Sequence, residues 1–178
     1  MPSSSSDLPG GLCVLVVEDD EADAYLICRA LSANPSVERV VRALDGVEAL
    51  RMVEQGEVAP DLAFIDLQMP RKGGFSLLTA FAERSASAFP MVVLTSSTAP
   101  VDAMRSRLRG AIRVVSKPAT TDALESELAF AVNAACRGRA LPQFECRTFK
   151  ASFRGVPATQ HLIALEEDRD PQWTGPVP

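Results

Sequence analysis

The stretch VVEDDEAD, residues 16–23, runs an apolar segment straight into carboxylates: Glu18, Asp19, Asp20, Glu21 and, after Ala22, Asp23. Like charges this close repel, and burying one unpaired carboxylate is costly. Three other reactive side chains follow apolar runs in the same way. Asp66 follows LAFI, Thr95 follows MVVL, and Lys117 stands just beyond AIRVV. Clustered oxygen ligands with positions left for water suit Mg²⁺, which favours a few carboxylates together with waters and phosphate oxygens. A carboxylate can also attack phosphorus to form an aspartyl phosphate, and phosphoryl transfer demands mainly charge compensation and positioning. Asp66 is the nucleophile candidate because it stands alone between the Glu18–Asp19 pair and the Thr95–Lys117 pair. Lys117 and the Thr95 hydroxyl would each take a phosphoryl oxygen. The bland reading of an acidic run after a strand is solvated charge favourable to a helix dipole. Asp20, Glu21 and Asp23 are read that way.

These groups meet only if the segments before them lie side by side. The apolar runs 12–17, 37–43, 62–65, 91–94 and 111–115 read as strands buried on both faces. Helical spacing fills the intervals: 21–33 with Ala24, Ile27, Cys28 and Leu31; 46–55 with Val47, Leu50, Met52 and Val53; 74–84 with Phe75, Leu78 and Phe81. It continues over 100–109 with Val101, Met104 and Leu108, and over 121–137 with Leu124, Leu128, Ala131 and Val132. Thr121 or Asp122 is expected to open the last helix, Gly73-Gly74 precedes the third, and Asn34-Pro35 closes the first. Five alternations predict an α/β fold, a (βα)5 doubly wound parallel five-stranded sheet over residues 12–137. In such a sheet the site lies beyond the carboxyl ends of the strands, where the strand order reverses.

Composition narrows the function classes. An apolar fraction of 47% suffices for a sizeable core, and the net charge of −5 with a pI near 5.0 argues against a nucleic-acid or anionic-membrane binder. Cys13, Cys28, Cys136 and Cys146 show no CxxC spacing, and His161 is the single histidine, so no zinc pattern exists. Cys13 and Cys28 are expected as buried free thiols, which points to a reduced, cytoplasmic setting. Residues 1–11, MPSSSSDLPGG, lack the basic and apolar parts of a signal peptide and are expected to be disordered. No run approaches the roughly 20 apolar residues of a membrane span.

The pieces VLVVEDDEAD, DLAFIDLQMPRKGGFSLL, VVLTSS and VVSKP together resemble the receiver domain of two-component response regulators. The resemblance covers residues 12–137 and implies the flavodoxin-like strand order 2-1-3-4-5. It implies Mg²⁺ held by Glu18 and Asp19, with Glu18 acting through water, and by Asp66 and the backbone carbonyl of Gln68. Asp66 becomes the phosphoacceptor, Thr95 the switch hydroxyl and Lys117 the phosphate-binding lysine. The bond before Pro118 is implied to be cis. Val114 departs from the family, which commonly carries an aromatic residue three places before the lysine. EADAYLI after the first acids is similar to stand-alone regulators associated with phytochrome-type kinases. A partner sensor histidine kinase is therefore implied.

Two rivals stay open. Phosphatases or phosphotransferases of the haloacid dehalogenase type also form an aspartyl phosphate, but carry a second Asp where this chain has Gln68. A degenerate receiver acting as an adaptor is the other. Residues 138–178 form a C-terminal extension too short for the usual DNA-binding output domain, with no helix-turn-helix pattern. Its aromatic residues Phe144, Phe149, Phe153 and Trp173 suggest an arm for homodimerisation or docking, or a segment packed on its own receiver. His161 is expected to be structural or exposed.

Overall fold

In the computed structural model, residues 11–84 and 89–137 are described. Five strands are present: β1 (Leu12–Val17), β2 (Val37–Ala43), β3 (Leu62–Ile65), β4 (Met91–Thr95) and β5 (Ala111–Ser116). The helices are α1 (Glu21–Ser32), α2 (Gly46–Glu54), α3 (Gly74–Arg84), α4 (Pro100–Leu108) and α5 (Thr121–Cys136). The strands form one parallel sheet in the order β2-β1-β3-β4-β5. This is the expected flavodoxin-like arrangement, and the order reverses between β1 and β3.

The continuous apolar strands follow from burial on both faces. Successive side chains point to opposite sides of a strand. Val14, Val16, Phe64, Val92 and Leu94 pack with Ile27 and Leu31 of α1 and Leu124, Leu128 and Val132 of α5. Their neighbours Leu15, Val17, Ile65 and Val93 pack with Ala49 of α2 and Leu77, Leu78 and Phe81 of α3. Burying each such Leu or Phe contributes about 1.5–3 kcal/mol. Cys13 and Cys28 are free thiols, half-buried rather than fully buried, and burial raises the pKa of both.

The register brings the strand ends into step. Val17 pairs with Ala43 and with Ile65, Ile65 pairs with Val93, and Thr95 pairs with Ser116. Residues immediately past these positions therefore share one edge of the sheet.

Three local expectations need correction. β4 and β5 each run one residue further, to Thr95 and Ser116. The cap of α5 is Thr120, whose extended backbone lets its hydroxyl accept from the Ala123 N–H. The bond before Pro118 is not cis, since no cis peptide occurs among the described residues. The trans form is the lower-energy state of an X–Pro bond by about 0.5–1 kcal/mol, and here Lys117 is held from both its backbone and its ammonium without a cis turn. Residues 1–10, 85–88 and 138–178 lie outside the described residues, and with them the expectations for N-terminal disorder, a C-terminal arm, Cys146 and His161.

Candidate functional site

Glu18 and Asp19 leave β1 at the point where the strand order reverses. The β1–α1 turn is built locally: the Asp20 side chain caps α1 by accepting from the Ala22 and Asp23 N–H groups, both at 2.9 Å. It is also held from outside. Arg42, near the end of β2, donates through Nε to the Glu18 carbonyl at 3.1 Å and through a terminal nitrogen to the Asp19 carbonyl at 3.1 Å. Its other terminal nitrogen pairs with Glu21 at 2.8 Å. One planar guanidinium thus fixes two consecutive backbone carbonyls, a use that its rigid fork permits.

Asp66 follows β3 and is 5% exposed. The Leu67 N–H donates to its carboxylate at 2.8 Å. Burial pushes the Asp66 carboxyl up, against the lowering charge of Lys117 and the backbone N–H groups of Leu67 and Gln68, and the net shift is upward. The Gln68 side chain is exposed. Space around this backbone is tight. A Cβ on Gly74 would come within 2.2 Å of the Asp66 carbonyl oxygen and 2.8 Å of the Leu67 Cα. The rest of the β3–α3 loop is anchored on the start of α2, where the Gly46 N–H donates to the Lys72 carbonyl at 3.2 Å. Asp45, buried at the N-cap of α2, pairs with Arg71, whose φ of 62° lies in the left-handed region. That conformation is unfavourable for a residue with a Cβ, and the ion pair helps to hold it.

Lys117 joins the strands. Its N–H donates to the Thr95 carbonyl at 2.7 Å. Its ammonium lies 2.8 Å from Glu18, 2.7 Å from Asp23 and 3.7 Å from Asp66. Burial alone would lower the Lys117 pKa, but the hydrogen bonds to Asp23 and Glu18 and the charge of Asp66 outweigh it and hold it above the ordinary lysine value. Glu18 is 2% exposed, and burial raises its pKa although Lys117 opposes the rise. Thr95 is buried, with its hydroxyl accepting from the Ser97 N–H at 3.1 Å.

Glu18, Asp19, Asp66 and Lys117 are therefore gathered at one place, with Thr95 attached to it through the backbone of Lys117. Sequence reasoning took Asp23 as helix-terminal charge and passed over Arg42. The signal for Arg42 was a basic residue just before the end of a strand otherwise apolar in that half. No signal in the sequence joins Asp23 to a lysine 94 positions later.

The donor set fits a hard divalent cation. Oxygens of Glu18, Asp19 and Asp66 lie within 4.8 Å of one another, close enough to share one ion. The Lys117 ammonium faces the carboxylates of Glu18, Asp23 and Asp66, and Asp19 adds a further acid to the group, so carboxylates outnumber this ammonium.

Comparison with known proteins agrees. The family model described as the response regulator receiver domain matches residues 14–129. A protein-glutamate methylesterase/protein-glutamine glutaminase of Geobacter sulfurreducens is 34% identical over 105 residues, which are 59% of this chain and 27% of that protein. The chain spans well under half the length of the curated relatives it matches, at most 40% among those most similar. Among solved structures, the phosphorylated cyanobacterial phytochrome response regulator RcpA superposes with a TM-score of 0.67 and 26% identity, over 75% of this chain and 99% of that one. The Mn²⁺-bound form of response regulator Rcp1 gives a TM-score of 0.60 and 25% identity, over 67% and 90% of the two chains. No helix among the described residues is long and apolar enough to cross a membrane.

Proposed function

The chain belongs to the response regulator receiver family, and from that premise we propose that it is a phosphorelay switch whose acceptor is Asp66. A carboxylate oxygen of Asp66 attacks the phosphorus of a phosphohistidine on a partner sensor kinase. The new O–P bond forms as the P–N bond breaks, and the leaving imidazole takes up a proton. Lys117 compensates charge on one phosphoryl oxygen, and the Thr95 hydroxyl donates to another. Glu18, Asp19, Asp66 and the Gln68 carbonyl would hold Mg²⁺, which supplies neutralising charge beside the reacting oxygens. Modification then shifts an equilibrium between two conformations that differ in their protein contacts.

The observation that carries this reading is the Lys117 ammonium, 2.8 Å from Glu18 and 3.7 Å from Asp66, drawing the ends of β1, β3 and β5 into one charged cluster. The likeness to RcpA supports a phytochrome-type sensor as the kinase class. Turnover of exogenous phosphate esters is disfavoured by Gln68, which stands where the haloacid dehalogenase type needs a general acid. Val114, half-buried against the α2/α3 side of the core, takes the place of the family's aromatic reporter, so output is read by another route than rotation of that ring.

Intact mass after incubation with acetyl phosphate and Mg²⁺ is expected to show one added phosphate, absent when Mg²⁺ is chelated and absent in Asp66→Asn. Equal labelling of Asp66→Asn refutes the proposal, and steady hydrolysis of many phosphate monoesters favours the enzyme.

A further inference from the structure

We propose that Asp23 is a positioning residue that competes with the phosphoryl group for Lys117 and so limits how firmly the site holds it. The inference rests on Asp66 being the acceptor.

An ammonium has three donors. Those of Lys117 are drawn to Glu18 at 2.8 Å and Asp23 at 2.7 Å, whereas Asp66 at 3.7 Å lies beyond hydrogen-bond distance. The two near carboxylates differ in their surroundings. Glu18 is buried and belongs to the group of acids able to share a cation. Asp23 is outside that group, on the first turn of α1, with its side chain 40% exposed. A cation among Glu18, Asp19 and Asp66 would satisfy Glu18 and weaken its claim on the lysine. Asp23 then remains as the carboxylate that holds the ammonium back from Asp66. A phosphoryl group on Asp66 must win Lys117 from it, and charge-assisted hydrogen bonds of this length are among the stronger ones in proteins. Because Asp23 sits on α1, the exchange also links the first turn of that helix to the state of Asp66.

The test is calorimetric titration of beryllofluoride, a phosphoryl mimic, into the full chain at saturating Mg²⁺. Asp23→Asn keeps the side-chain shape and removes the charge. It is expected to tighten beryllofluoride binding roughly threefold or more, the scale of a partly exposed ion pair with charged hydrogen bonds. Labelling by acetyl phosphate should rise in parallel. Asp122→Asn removes the same charge from the first turn of α5, away from the contacts of Lys117 and Arg42, so its affinity should stay at the wild-type value. A loss of structure in Asp23→Asn would weaken binding, never tighten it. Unchanged or weaker binding by Asp23→Asn, or an equal gain in Asp122→Asn, overturns the inference while leaving Asp66 as acceptor. Absence of binding by the wild-type chain, or full binding by Asp66→Asn, overturns both.

Discussion

The chemistry of this site is set by how few positive groups serve many negative ones. Lys117 is the ammonium among the clustered acids, and Arg42 works from behind, on the Glu18 and Asp19 carbonyls and on the outlying Glu21 carboxylate. Removing Arg42 leaves Glu18 and Asp19 chemically intact but frees the backbone that aims them. Arg42→Ala is therefore expected to weaken Mg²⁺ binding about tenfold, the lower end of the usual effect of losing a group that orients metal ligands. Calorimetric titration of Mg²⁺ checks this, and an unchanged affinity would show that the turn holds its shape without the clamp. At this scale the sequence was legible where chemistry repeats: Glu18, Asp19, Asp66, Thr95 and Lys117 all stand at strand ends. It read Asp23 only as helix-terminal charge and passed over Arg42, because each acts through a contact between elements. The two acids Asp20 and Asp23 look alike in sequence, yet one caps α1 and the other pairs with Lys117.

The elements were readable for a physical reason: strands covered on both faces cannot alternate polar and apolar residues, so β1, β3 and β4 announce themselves as unbroken apolar runs. Ends were less legible. A cap depends on backbone angles, and Thr120, Thr121 and Asp122 offer equally suitable side chains until the chain's path selects Thr120. The X–Pro bond at Pro118 differs from its expectation in the same way, since isomer choice is decided by the surrounding loop rather than by the residue pair. Gly74 shows how element packing reaches the site. Its missing Cβ lets the start of α3 press against the Asp66 carbonyl. Gly74→Ala forces that backbone to move and is expected to cost about 1–3 kcal/mol, typical of overpacking, with slower labelling of Asp66. Urea denaturation measures the first effect and the acetyl phosphate reaction the second. Wild-type behaviour in both would mean that α3 shifts without disturbing Asp66.

At the scale of the whole molecule, the receiver fold spans the described elements from Leu12 to Cys136, and the sequence continues for about forty residues more. Their aromatic residues, Phe144, Phe149, Phe153 and Trp173, motivate the expectation that residues 139–178 serve as an arm for homodimerisation or docking. Light scattering is expected to give a dimer for the full chain and a monomer after their deletion; the same assembly state in both would remove the arm from the account. The central claim concerns one point in space, where acids from β1 and β3 and the lysine after β5 converge on the Asp66 carboxyl. A crystal structure of the chain with Mg²⁺ and beryllofluoride tests it most directly. The account predicts beryllium bonded to an Asp66 carboxylate oxygen, the cation against Asp19 and Asp66, and the Lys117 ammonium on a fluoride. Beryllofluoride bound elsewhere, or Lys117 turned away from an occupied Asp66, would contradict it.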